Sequence, residues 1–271
     1  MQYIFITNDI RLAVAARSAG VTRVMVDLEQ IGKEERQGHL DTLRSRHTVE
    51  DVAAVKAVVP DMELIVRVNP LYRGSPQEVE QVLAAGCDTI MLPMFFSSQE
   101  AGRFLELVSG RCKVILLVET YGSFLDLHRI VKIPGVSEVH VGLNDLHLDM
   151  NLKFMFEPLV LGMIDRAAEV VLGAGIRFGF GGIARVGEGA IPGEMVLAEH
   201  ERLGSTGVIL SRTFHRDLLD TAGLVDCVTL ELEVSKLNIA FKQLMARTVQ
   251  QREHGHQRFI EKIRSLVLED L

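Results

Sequence analysis

The chain has 271 residues, 48% of them hydrophobic and 24% charged, a size and balance that suit one large globular domain with a sizeable core. Its formal charge of −7, with no basic run, excludes a polyanion-binding surface, so no nucleic-acid partner is expected. No stretch approaches the ~18 uninterrupted apolar residues of a membrane span, and residues 1–13 lack the basic and apolar regions of a leader, so no membrane partner is expected either.

The first β-rich run, residues 3–6, leads into "NDIRLAVAARSAG", where Asn8 or Asp9 caps a helix. Residues 23–28 form the second run; a long polar loop follows, and then a helix that starts at Thr48 and stops at Pro60. After the third run, 63–68, "SPQEVEQVLAAG" predicts a helix with Ser75 as N-cap, Pro76 in the first turn, Glu78 as capping-box acid and Gly86 past its end. The fourth run, 89–92, precedes a helix capped by Ser97. Runs at 113–118, 138–142, 176–179 and 207–210 bring the total to eight.

Strands apolar on both faces, alternating with amphipathic helices, imply a parallel sheet covered by helices. Eight such units predict an α/β fold of the (β/α)8 TIM-barrel type over residues 1–223. An open doubly wound sheet would carry a glycine-rich turn after its first strand, and "FITNDIRLA" has no glycine. Residues 224–271 read as a C-terminal helical extension, apolar at Leu230, Val234, Leu237, Phe241 and Leu244, that packs on its own barrel or on a neighbouring subunit. Cys87, Cys112 and Cys227 are odd in number and set in apolar contexts, which suits reduced core thiols and a cytoplasmic location better than a disulfide or zinc framework.

In such a barrel the active-site groups lie at the carboxyl ends of the strands. Those ends carry Asp27 and Glu29, Arg67 and Asn69, Pro93, Glu119, Asn144 and Asp145, Arg185, and then Ser211, Arg212 and His215. Glu119 and Asp145, on adjacent strands, make an oxygen-only pair of the kind Mg2+ or Mn2+ prefers. Alternatively Glu119 pairs with Arg67 across the mouth and Asp145 caps the helix behind it. The loops after strands seven and eight supply Gly181, Gly182, Arg185, Ser211 and Arg212, which could hold a phosphorylated or carboxylated distal group. The other reading makes residues 179–182 a tight exit turn, with Arg212 bridging to Glu188 or Glu194. Lys113 is the one lysine near any strand and sits at an amino end, which disfavours Schiff-base chemistry.

The fragments "VMVDLEQ", "RVNP", "AGCDTIMLPM", "LLVET" and "GLNDLHLDM" occur in that order, and together they resemble the class II pyruvate aldolases and citrate lyase β-subunits of the HpcH/HpaI group. The resemblance implies that Glu119 and Asp145 ligate the metal, that Arg67 holds the substrate's carboxylate or keto oxygen, and that Asp27 and Glu29 contact substrate or water. By the same likeness Gly86 and Pro93 are structural positions that shape the strand-four loop. It implies metal-assisted carbon-carbon cleavage or formation of a 2-oxo acid through a pyruvate enolate. This chain departs from the pattern at Gln30, where the hydroxy-keto-acid aldolases carry histidine and citrate-lyase-like relatives carry aspartate. His47, or water held by Glu29, then becomes the candidate acid/base. A phosphoenolpyruvate-handling transferase or mutase and a non-catalytic acid-binding relative are the alternatives. Homo-oligomeric assembly is expected on general grounds.

Overall fold

The computed structural model of the protein describes residues 1–32, 47–216, 218 and 225–269. Eight strands, β1 (Gln2–Ile6), β2 (Arg23–Asp27), β3 (Glu63–Arg67), β4 (Thr89–Leu92), β5 (Lys113–Val118), β6 (Val136–Val141), β7 (Arg177–Ile183) and β8 (Gly207–Leu210), pair in parallel in chain order. Pairing of β8 with β1 closes the barrel, as the eightfold alternation predicts.

The helices among the described residues are α1 (Ile10–Ser18), α2 (Val49–Val58), α3 (Ser75–Ala84), α4 (Ser98–Val108), α5 (Tyr121–Leu125), α6 (Leu127–Ile130), α7 (Leu143–Asp149), α8 (Glu157–Val160), α9 (Met163–Gly173), α10 (Gly193–Arg202), α11 (Cys227–Met245) and α12 (Val249–Glu269). Asp9, Thr48 and Ser97 cap their helices through their side chains, Thr48 in a capping box with Asp51. Ser75 does not: Gly74 is the N-cap of α3, and Ser75 Oγ accepts from the Tyr72 N–H instead. Glu78 is likewise drawn away, accepting from the backbone and the amide of Asn69. Tertiary partners thus outcompete the local cap.

Alternation along the strands sorts the barrel interior into layers. At the amino end Arg23 of β2 reaches Glu138 of β6 at 3.0 Å and Glu63 at 3.2 Å, contacts that only the inside of the barrel allows. Two residues further along each strand, Ile4, Met25, Ile65, Met91 and Ile115 form a small apolar core. A second step brings Asp27 and Arg67 to the carboxyl mouth, where Glu119 arrives one step later, past the apolar Leu117 of β5. The larger core lies outside the sheet, where residues such as Val24, Leu64, Ile90 and Leu116 meet the helices. β7 runs to Ile183 rather than ending at Gly179, because a register shift between Gly179 and Gly182 lets the strand continue beside β8. This corrects the exit-turn reading of residues 179–182.

α11 and α12 pack on α10 of the same chain, with α11 also meeting α1 and α12 meeting α8. The expected boundary at residues 223 and 224 falls outside the described residues. Among the described residues no helix is long and apolar enough to cross a membrane.

Candidate active site

β2 and β3 are in register with Asp27 opposite Arg67, so an acid and a base at equivalent strand ends face each other directly. The Arg67 guanidinium donates to both Asp27 oxygens, Nε at 2.8 Å and Nη2 at 2.7 Å, and its Nε lies 3.5 Å from Glu29. Burial opposes the charge, but Asp27 and then Glu29 more than offset it and raise the Arg67 pKa well above its ordinary value. Such a bidentate clamp fixes the plane of the guanidinium. Among the described residues Nη1 has no hydrogen-bond partner.

Glu119 follows β5 and is 3% exposed. Its Oε1 accepts the Met94 N–H at 3.0 Å, and among the described residues it forms no ion pair. The expected alternative, Glu119 paired with Arg67, is therefore not what the structure shows: Arg67 is taken by Asp27 and Glu29. Burial, then the charges of Asp145 and Glu29, push the Glu119 pKa well above the carboxylate range, while Arg67 and the Met94 N–H act the other way. Asp145 belongs to α7 rather than to β6, in the first turn of that helix. The N-cap of α7 is Gly142, and Asp145 stands as the acid of its first turn.

Two further residues shape this corner, and only one had a visible signal. A Cβ on Gly142 would stand 2.7 Å from Glu119 Oε2 and 2.8 Å from Glu119 Cβ; a glycine directly after a buried strand is the usual mark of such close approach. Met94 holds φ at +46°, the left-handed region that a non-glycine residue rarely enters. Nothing in the sequence announces that. Pro93, buried beside it, leads from β4 into the bend at Met94, whose N–H reaches Glu119.

Other expected residues lie around this centre with partners of their own. Asn69 Oδ1 accepts from the backbone of Gln30 at 2.8 Å and Ile31 at 3.0 Å, and its Nδ2 donates to Glu78 at 2.7 Å. His47 is buried, and its Nδ1 accepts the Asp27 N–H at 2.9 Å. A nitrogen that accepts cannot carry the proton, so the His47 proton sits on Nε2. Residues 33–46 of the loop before it lie outside the described residues. Gly182 faces Ile209 of β8, whose carbonyl oxygen would be 3.1 Å from a Cβ. Arg185, buried, donates to the Arg216 carbonyl at 3.0 Å. Ser211 Oγ lies 3.0 Å from Thr213 Oγ1 and caps the short 3-10 helix Arg212–Phe214. Glu188 lies nearest Arg216 and Arg185, and Glu194 accepts the Gly187 N–H.

Among the described residues no group of three or more His, Cys, Asp or Glu side chains is arranged to hold a metal, so an all-protein cage is not on offer. Mg2+ seldom uses one: it keeps several waters and takes one or two carboxylates plus substrate oxygens. A carboxylate whose pKa burial and a neighbouring acid drive up, and which has no paired cation among the described residues, fits that role. The donor set is all oxygen, which suits a hard divalent ion.

Residues 5–186 match the profile of the family described as HpcH/HpaI aldolase/citrate lyase. No curated protein matches the chain. Among solved structures, an HpcH/HpaI aldolase/citrate lyase family protein from Burkholderia cenocepacia J2315 aligns with a TM-score of 0.60 at 20% identity, over 78% of this chain and 87% of its own. An HpcH/HpaI aldolase from Desulfitobacterium hafniense DCB-2 gives 0.61 at 15% identity, over 78% and 85%. The citrate lyase β-subunit from M. tuberculosis, complexed with oxaloacetate and magnesium, gives 0.59 at 16% identity, over 91% and 96%.

Proposed function

The chain belongs to the HpcH/HpaI aldolase/citrate lyase family, and from that premise we propose that it is a divalent-metal-dependent carbon-carbon lyase, an aldolase that cleaves or forms a 2-oxo-hydroxy acid through a pyruvate enolate. The observation that carries this reading is Glu119: a buried carboxylate that accepts the Met94 N–H and, among the described residues, pairs with no cation, beside the charge of Asp145 and within the field of the clamped Arg67 guanidinium. In this reading Glu119 and Asp145 hold Mg2+ or Mn2+. The bound ion supplies Lewis-acid stabilisation of the negative charge that develops as the bond breaks.

The chain's own groups do the rest. Arg67 binds the carboxylate or keto oxygen of a small 2-oxo acid, and Asp27 keeps its plane fixed so that no reorganisation is needed as charge develops. Cleavage requires that a hydroxyl proton leave the substrate and that the enolate carbon later take one back. Gln30 cannot titrate, so the proton passes to Glu29, buried and 3.5 Å from Arg67 Nε. His47 acts as a positioning residue that holds the Asp27 backbone. Asn69 braces the loop that bears Glu29, and Pro93 presents the Met94 N–H. Ser211 and Arg212 take the distal end of the substrate, with Arg185 and Gly182 fixing the β7 and β8 loops behind them. Oxaloacetate in the M. tuberculosis neighbour is a 2-oxo acid of the same class.

Mg2+ or Mn2+ should raise the thermal midpoint, by the equivalent of about 2.7 kcal/mol at a hundredfold excess over Kd. Glu119→Gln and Asp145→Asn should lose that shift while still melting cooperatively. With either ion, pyruvate and a panel of aldehydes, the wild-type chain should consume pyruvate, and Arg67→Lys should slow it by on the order of 10²-fold, because a point charge cannot replace a planar fork. A metal response unchanged in both carboxylate variants, or no pyruvate consumed with any aldehyde, sinks the assignment.

A further inference from the structure

The amino end of the barrel, opposite the candidate active site, brings together two thiols that lie far apart in the sequence. Cys87 stands just before β4 and Cys112 just before β5. The two strands pair with Thr89 opposite Lys113, and the Lys113 N–H reaches the Asp88 carbonyl at 3.2 Å. Cys112 therefore sits opposite Asp88, one residue along from Cys87. One residue of rise and one strand spacing put their Cα atoms on the order of 6 Å apart, within the span a disulfide accepts. Both residues are half-buried and unbridged, and the Cys112 thiol lies 3.4 Å from the Lys113 carbonyl oxygen. They pack against the edge of the main core, as the apolar context of each suggests, and also open onto a cavity of about 510 Å³ lined by Lys56, Asp88, Arg111 and Lys113.

The two sulfurs differ in character. The neighbouring Cys87 thiol lowers the Cys112 pKa, burial opposes it, and Arg111 lowers it further. The Cys87 thiol is pushed up by the same contact and by burial. Of the two, Cys112 gives up its proton more readily, the order that suits an attacking and a resolving cysteine. Neither residue has a part in the lyase chemistry.

We propose that Cys87 and Cys112 form a peroxide-responsive dithiol at the closed end of the barrel, with Cys112 attacking and Cys87 resolving. The Cys112 thiolate takes one oxygen from hydrogen peroxide, the O–O bond breaks, and hydroxide leaves as the sulfenic acid forms. The Cys87 sulfur then attacks the sulfenic sulfur: the S–S bond forms, the S–O bond breaks, and the Cys87 proton leaves with the oxygen as water. Overall, two thiols lose two electrons and two protons, and one peroxide becomes two waters. The bond links β4 to β5, the strands that lead to Met94 and Glu119 at the other end.

The test is a titration of the full-length chain with hydrogen peroxide, followed by denaturation, thiol counting and mapping of unreduced peptides. Free thiols should fall from three to one, the linked peptides should contain Cys87 and Cys112, and dithiothreitol should restore all three. Cys227→Ser should leave the cross-link intact. Cys112→Ser should abolish it, and Cys87→Ser should leave a sulfenic acid at Cys112 that dimedone traps. Three thiols persisting at high peroxide, a bond made to Cys227 or between chains, or a Cys112 inert to dimedone in Cys87→Ser would each overturn the proposal.

Discussion

His200 shows how far one residue's surroundings set its chemistry. It lies on α10 with no exposed surface, stacked flat on Phe180 with ring centroids 3.8 Å apart, Nδ1 2.8 Å from Ser205 Oγ and Nε2 without a partner among the described residues. Burial is the main reason its pKa falls well below the ordinary histidine value, with His140 adding to the effect. In the unfolded chain the ring protonates near pH ~6.5; in the folded chain it stays neutral far below that. The unfolded state therefore binds the extra proton as pH falls through that value, and stability drops by up to about 1.4 kcal/mol per pH unit from this site alone. Urea melts of the wild type and His200→Gln at pH 7, 6 and 5 should show the variant's stability falling less steeply below pH 6.5. Parallel slopes would mean that His200 is not held neutral. The same scale explains what the sequence disclosed. Asp27, Glu29, Arg67 and Glu119 are legible because they end hydrophobic runs. Which acid Arg67 chooses, or that Met94 turns its N–H on Glu119, depends on loop paths that spacing does not record.

At the scale of elements, the caps separate what is local from what is not. Thr48 and Asp51 form a capping box at the start of α2, and Asp51 Oδ2 also accepts from the Asn8 side chain at 3.0 Å, tying the loop after β1 to α2. Thr48→Ala should destabilise by about 1 kcal/mol, the usual worth of an N-cap. Asp51→Ala should lose more, because it removes the tie to Asn8 as well. Equilibrium urea denaturation of the two variants orders them, and equal losses would show that the Asn8 contact contributes nothing. Signals confined to four consecutive residues were readable at Asp9, Thr48 and Ser97. At Ser75 the pattern was as clear, yet Tyr72 and Asn69 claim the side chains that would have made the box. The β7 extension escaped notice for a related reason: three glycines in five residues look like a turn, and only close packing on β8 and His140 makes them strand.

The whole barrel is a stack of charged, apolar and charged layers, and its lower layer makes the strongest claim about stability. Arg23, 1% exposed, is held by Glu63 and by Glu138, which has no exposed surface, while Arg177 stands 3.4 Å from Glu138. Eight strand ends meet here, and no apolar set of the same shape would satisfy Glu138 once Arg23 was gone. Removing one partner of a buried pair leaves an uncompensated charge, at a penalty of about 3–5 kcal/mol, whereas replacing both by apolar groups is often close to neutral. Arg23→Met, which leaves Glu138 with Arg177 alone, should therefore destabilise by up to about that amount, and Arg23→Met with Glu138→Leu should recover a good part of it. Arg177 and Glu63 remain as a looser pair at 3.9 Å in the double variant. Because this layer lies at the opposite end from Glu119 and Asp145, the metal-induced rise in melting temperature should survive in both variants. Urea denaturation of the two single variants and the double variant measures the coupling directly. If the double variant loses the sum of the two single losses, Arg23 and Glu138 act independently, and the barrel does not close around this pair.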